Sequence, residues 1–247
     1  MGYDLRGPGA FLKLTSLIQP RGSVPENSFL YRFGNCQVRE WPYRHFYLED
    51  CFPRDFYWEI VGNLPSPESM PQIGEVRGSG ALKRYKERFC FPVGNQWAVN
   101  NRMEPDQAKF WNDFVGWLCA GRFARLAIER LGIPKGEYRN NCYLVRDDRG
   151  YALGPHTDTP KKVVSVIFYL PDLNANEALG TSIYIPRELG FSDPTGQHLD
   201  RSGFELVATM AYRPNSCFGF QRSDTSFHGV ERAEGTRWCL LFDIHHV

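Results

Sequence analysis

From Arg54 to Leu64 the apolar residues Phe56, Tyr57, Ile60, Val61 and Leu64 recur at the spacing of one helix face, with Pro53 in the first turn and Pro65 as the stop. A second run of that period extends from Pro105 to Leu131. Glu104 and Asp106 place acids at its positive end, Phe110, Trp111, Phe114, Trp117 and Leu118 form its apolar stripe, and Gly132 and Pro134 close it. Gly121 predicts a break into two helices, and aromatics at this spacing indicate core packing against a sheet. After Lys135 the period changes. Short β-rich segments at 139–146, 163–170, 181–185, 203–212, 216–221, 227–231 and 236–244 alternate with Gly, Pro, Asn and Asp. This pattern predicts an α+β chain, a double-stranded β-helix (a jelly-roll or cupin-like barrel) buttressed by N-terminal helices. Residues 1–247 are read as a single domain, 1–134 supplying strands and supporting helices and 135–247 the jelly-roll core.

The remaining stretches are punctuated by breakers. Residues 1–40, where Gly and Pro interrupt apolar runs such as Phe11 to Ile18, predict short strands and turns. The run His45 to Pro53 predicts a short strand entering the first helix. The Pro- and Gly-rich segment 65–80 predicts a loop able to fold over a site, and the basic run Lys83–Arg88 is read chiefly as a solvated face. Pro186 to Arg201 is long for a hairpin and predicts a flexible lid.

Composition narrows the class. With 42% hydrophobic and 15% aromatic residues the chain can bury a sizeable core, and a formal net charge of +1 argues against a nucleic-acid partner, which requires a basic stripe. The seven cysteines are odd in number and contain no Cys-x-x-Cys, which predicts reduced, packed thiols in a cytoplasmic protein. The N-terminus lacks the basic-then-apolar run of a signal peptide, and no stretch reaches the roughly 18 to 20 apolar residues of a membrane span. A soluble protein without a membrane partner is expected; oligomeric state is left open.

Candidate chemistry sits in Gly154-Pro155-His156-Thr157-Asp158-Thr159 and in Ser226-Phe227-His228-Gly229. An imidazole and a carboxylate two apart on an extended segment share a face, so with one distant histidine they can occupy a triangular face of an octahedral ion and leave the other face open. That is the ligand set of a non-haem Fe(II) oxygenase. Taken singly, each of these residues is more simply a satisfied polar group at a sheet edge. Arg237, nine residues after His228 and at the head of the apolar run 238–242, adds a guanidinium fork suited to the far end of a dicarboxylate. His198 is the rival third ligand, disfavoured because no arginine follows it at that spacing.

The order His156, Asp158, His228, Arg237 resembles the 2-oxoglutarate-dependent Fe(II) oxygenases, specifically their prolyl-hydroxylase-like branch. The run Val163 to Pro171, ending Phe168-Tyr169-Leu170, resembles the strand that follows the first two ligands in that branch, and Asn141-Cys142-Tyr143-Leu144 resembles the strand before them. The resemblance implies that His156, Asp158 and His228 hold Fe(II), that Arg237 and Tyr169 bind the distal carboxylate of 2-oxoglutarate, and that Tyr143 approaches it from the other side. Cys239 stands where some branches carry a serine that touches the cosubstrate. The implied reaction consumes O2 and 2-oxoglutarate, releases succinate and CO2, and hydroxylates an unactivated C–H, with ascorbate as an optional reductant. Asp158 favours hydroxylation over halogenation, since halogenating relatives carry a small residue there. A small-molecule substrate is the first reading; a protein or peptide side chain and a non-catalytic jelly-roll binding module are the alternatives. Lys161, Lys162 and Arg187 are placed near the mouth, where they either favour an anionic substrate or are ordinary surface cations.

Overall fold

The aromatic stripes of the first half and one face of the β-rich half meet in a single core in the computed structural model, which describes residues 11–12, 24–77, 85–93 and 103–247. Among the described residues the helices are α1 (Val24–Asn35), α2 (Arg54–Gly62), α3 (Ile73–Arg77), α4 (Pro105–Cys119) and α5 (Arg122–Arg130). The break between α4 and α5 falls at Gly121, as the sequence predicts. Helix α1 is a correction, since short strands and turns were expected there. Pro25 was read as a breaker, but it lies in the first helical turn, where its missing N–H costs nothing, and Phe29 and Phe33 four residues apart form the buried face. Segment 65–80 is likewise more ordered than expected, holding a 3-10 turn (Pro67–Ser69) and α3. Residues 78–80 of that stretch, the run Phe11 to Ile18 beyond Leu12, and Lys83 and Arg84 lie outside the described residues.

The strands among the described residues are, in chain order, β1 (Phe11–Leu12), β2 (Val38–Arg39), β3 (His45–Leu48), β4 (Arg88–Phe91), β5 (Tyr138–Asp147), β6 (Leu153–His156), β7 (Lys162–Tyr169), β8 (Thr181–Pro186), β9 (Phe204–Met210), β10 (Ser216–Gln221), β11 (His228–Val230) and β12 (Arg237–His246). They make two antiparallel sheets. The larger runs β1-β5-β12-β7-β10-β3-β2, with β4 also on β5; the smaller runs β6-β11-β8-β9.

Strand alternation divides the larger sheet between two cores. Leu144, Val166, Phe168, Leu240 and Phe242 face the helices, where Phe168 lies 5.5 Å from Phe29 and stacks at 5.7 Å on Phe52, and Phe242 lies 4.9 Å from Phe123. Aromatic pairs of this kind contribute about 0.5–1.5 kcal/mol each beyond area burial. Two buried polar tips of this core are satisfied: Tyr57 donates to the Pro171 carbonyl at 2.6 Å and Trp111 to that of Asn63 at 2.7 Å. On the opposite face Ile167, Tyr169, Phe218, Phe220 and Cys239 pack against Leu153, Ile183, Met210 and Val230 of the smaller sheet. Functional side chains lie between the two sheets.

Register sets where they lie. Asn141, Asp243, Ser165, Phe220 and His45 are successive cross-strand neighbours, forming a largely polar row at one end of this face. Six residues along β12, Arg237 stands opposite Asp147 of β5, and Asp147 also faces Arg88 of β4. Among the described residues no helix is long and apolar enough to cross a membrane, and all seven cysteines are unbridged.

Candidate metal centre

His156 and His228 occupy facing positions on β6 and β11, with ring centroids 4.2 Å apart. Gly229 permits this approach, because a Cβ there would sit 2.5 Å from the Leu153 carbonyl oxygen. Each imidazole is bonded through Nδ1 to a backbone carbonyl two residues upstream, Gly154 at 3.1 Å and Ser226 at 3.0 Å. A carbonyl can accept but not donate, so both Nδ1 atoms carry the proton and both Nε2 lone pairs are turned to the same point. Asp158 completes the cluster, its oxygens 3.8 Å from His156 Nε2 and 3.7 Å from His228 Nε2. Among the described residues these three form the one group of His, Cys, Asp or Glu able to hold a metal ion, with all ligand atoms within 4.8 Å of one another.

The route to that convergence differs from the extended segment anticipated. β6 ends at His156, and Asp158 is swung into place by a left-handed backbone, φ +67°. Such a conformation is unfavourable for a residue with a Cβ and persists where its surroundings enforce it. The brace is the 186–201 connection. Thr157 Oγ1 donates to the Asp193 carbonyl at 2.7 Å, Leu199 N to that of Pro155 at 2.9 Å, and Gly196 lies so close that a Cβ would be 2.2 Å from the Asp158 carbonyl oxygen. The stretch read as a flexible lid is therefore fastened against the ligand loop. It also places His198 edge-on to His156 at 4.6 Å between rings and hydrogen-bonded to Tyr85, outside the ligand cluster.

Charge at the centre is set by burial and one lysine. Burial depresses the His156 pKa to about 3, helped by His228 and opposed by Asp158; burial lowers His228 too, against Asp158. Burial pushes the Asp158 carboxyl up, but Lys162, 3.1 Å away, then the two imidazoles and a 2.8 Å hydrogen bond from Ser165 outweigh it and hold the carboxyl well below its usual range. At neutral pH the cluster thus presents two neutral imidazoles and one carboxylate, a donor set suited to a divalent first-row ion. Because the unfolded chain protonates His156 at its ordinary 6.5 and the folded chain at about 3, the unfolded state binds more protons between those values, and stability is lost as pH falls through that window. Asp158 adds loss in the same direction at lower pH. The urea midpoint of the metal-free chain is expected to fall from about pH 6.5 to about pH 3, and His156→Ala to flatten that slope.

Further along the same face, Arg237 is buried, as the dicarboxylate reading requires. Its Nη2 donates to Cys239 Sγ at 3.2 Å, its Nε lies 3.7 Å from Asp147, and neither Nε nor Nη1 has a hydrogen-bond partner. Cys239 is a neutral acceptor here, since burial raises its thiol pKa. Asp147 is already held by both nitrogens of Arg88, at 2.6 and 2.8 Å. Two guanidiniums share one carboxylate, so a buried net charge of +1 with orphaned N–H groups is left for an anion. Tyr169 accepts a 3.0 Å bond from Thr181 N, which leaves its O–H to donate; burial raises its pKa and Arg237 opposes that rise. Burial raises the Tyr43 pKa too, with Asp158 and then Tyr169 adding to it, and its O–H donates to the Phe227 carbonyl at 3.3 Å. Tyr143 is half-buried on the same face of β5, in a cluster with Ile73, Cys90 and Tyr85.

Within the basic run Arg88 departs from the solvated reading, since its side chain turns inward to pair with Asp147, whereas Lys86 is exposed. Lys162 is not left at the mouth for an anionic substrate either, being paired with both Asp158 and Asp243, whereas Lys161 and Arg187 are exposed. Arg88, Asp147, Tyr43 and Asp243 had no motif to announce them. The pairing of β4, β5 and β12 brings Arg88, Asp147 and Asp243 to the site, and Tyr43 reaches it from just ahead of β3.

No family model and no curated protein sequence matches the chain. Among solved structures, a prolyl 4-hydroxylase from Phytophthora capsici superposes with a TM-score of 0.54 at 13% identity, over 95% of this chain and 70% of that one. The epimerase SnoN, solved with Fe3+, alpha ketoglutarate and nogalamycin RO, gives 0.52 at 14% identity, over 90% and 83%. HygX from Streptomyces hygroscopicus, with nickel, 2-oxoglutarate and hygromycin B bound, gives 0.50 at 14%, over 82% and 83%. At such identities the likeness is one of fold.

Proposed function

We propose that the chain is a 2-oxoglutarate-dependent, non-haem Fe(II) dioxygenase of the prolyl-hydroxylase-like branch, a cytoplasmic single-domain enzyme whose two sheets are the layers of a double-stranded β-helix. The observation that carries this reading is the pairing, between the same two sheets, of a two-imidazole, one-carboxylate cluster with a buried guanidinium that has two N–H groups to spare. A structural role for Arg237 would have satisfied those groups. A silent binding module has no use for the cluster.

Bound iron, 2-oxoglutarate and O2 supply the oxidation of a substrate C–H, coupled to decarboxylation of the cosubstrate to succinate and CO2. His156, Asp158 and His228 would hold the metal. Arg237 and Tyr169 would donate to the distal carboxylate of the cosubstrate and so orient it, and Tyr143, on the same sheet, would approach it from another side. Ile167 and Phe220 exclude water along the way, which strengthens the charged contacts.

HygX and SnoN, solved with hygromycin B and nogalamycin RO, favour a small-molecule substrate; the prolyl 4-hydroxylase similarity keeps a peptide side chain as the second reading. The test is anaerobic addition of Fe(II) and then 2-oxoglutarate, with a visible charge-transfer band expected only when both are present. A small-molecule and peptide screen that follows succinate then assigns the substrate. No band and no substrate-stimulated succinate would refute the assignment.

A further inference from the structure

Lys162 opens β7 four residues after Asp158, and the turn between them is closed by its own N–H on the Thr159 carbonyl at 3.0 Å. Its ammonium lies 3.1 Å from Asp158 Oδ1, 3.3 Å from Ser165 Oγ and 3.0 Å from Asp243 Oδ1. Ser165 in turn donates to Asp158 Oδ2 at 2.8 Å, so both oxygens of the ligand carboxylate are tied and its plane cannot turn. Asp243 is 2% exposed, its Oδ2 has no hydrogen-bond partner, and it lies directly across the sheet from Ser165. A carboxylate buried this deeply is costly unless a cation compensates it, and the cation it uses is the one that also touches the metal ligand. Asp243 anchors the lysine; the lysine and the serine hold Asp158.

We propose that Lys162, anchored by Asp243, sets the net charge that an incoming divalent ion meets at the metal centre, an effect that outweighs its hold on Asp158. This rests on the metal-centre reading above. Asp158, Asp243 and Lys162 together carry a charge of −1. Removing the lysine charge takes the group to −2 and favours a divalent cation; removing the Asp243 charge takes it to 0 and disfavours one; removing both restores −1. A lysine that merely propped up the loop would weaken metal binding when lost, so the sign separates the two roles.

The test is calorimetric titration of the metal-free chain with Co(II) alone, with melting temperatures recorded for every variant. Lys162→Met is expected to bind Co(II) about tenfold more tightly than wild type, Asp243→Asn about tenfold more weakly, and the double variant within about threefold of wild type, the scale on which outer partners act on metal sites. Lys162→Gln makes the same charge change should the methionine variant fold poorly, and Lys162→Arg is expected to keep wild-type affinity. Weaker or unchanged binding in both neutral lysine variants, or a double variant that does not return toward wild type, overturns the proposal while leaving the metal centre standing. Wild-type protein that takes up no Co(II) overturns the centre itself, and the proposal with it.

Discussion

His156→Ala is expected to lower 2-oxoglutarate turnover by more than about 100-fold, beyond the 10–100-fold that loss of an outer partner typically costs a metal site. The reason is geometric. Both imidazoles have Nδ1 committed to a carbonyl, so each can offer one nitrogen, and no other histidine of the described residues joins the cluster. His198 cannot substitute, because its ring lies edge-on to His156 and its Nδ1 is engaged by Tyr85. The fold should survive, since β6 and β11 are paired through their backbones at this position. Bound iron measured by metal analysis should fall together with succinate, and the melting temperature of the metal-free variant should stay within a few degrees of wild type. Turnover at the wild-type level in this variant would remove His156 from the metal site.

Arg237→Ala is expected to raise the KM for 2-oxoglutarate by about 100-fold or more, two charged hydrogen bonds at about 1.5–3 kcal/mol each being lost together. A second effect of opposite sign accompanies it. Without 2-oxoglutarate, Arg237 is a buried cation sharing Asp147 with Arg88 and leaving two N–H groups unpaired, a costly arrangement. Arg237→Met, which keeps the volume and removes the charge, should therefore melt no lower than wild type in the absence of 2-oxoglutarate, yet lose the rise in melting temperature that 2-oxoglutarate gives the wild-type protein. A residue kept for stability would behave in reverse, with a lower melting point and an ordinary KM.

Much of the architecture was legible in the chain. The 3.6-residue stripes of α2, α4 and α5 and the alternation of β5, β7, β10 and β12 follow from local periodicity, and the strand ends fall within a few residues of the anticipated ones. Helix α1 was missed because a proline in a first turn looks, in sequence, like a proline that ends a helix. The ligand set was legible for a different reason. His156, Asp158, His228 and Arg237 are chemically distinctive and regularly spaced, so the spacing survived a mistaken idea of the local backbone at Asp158.

By itself, then, the order of residues pointed to the groups that converge as a candidate metal centre and to the arginine that lies buried along the same face, because residue chemistry and strand period are local properties. Tertiary structure decided the electrostatics around them. Asp147 shared between Arg88 and Arg237, and Lys162 shared between Asp158 and Asp243, are partnerships across strands far apart in the chain. No local pattern encodes them, since a charge on a strand reads the same in sequence whether its neighbour across the sheet is water, a lysine or another carboxylate.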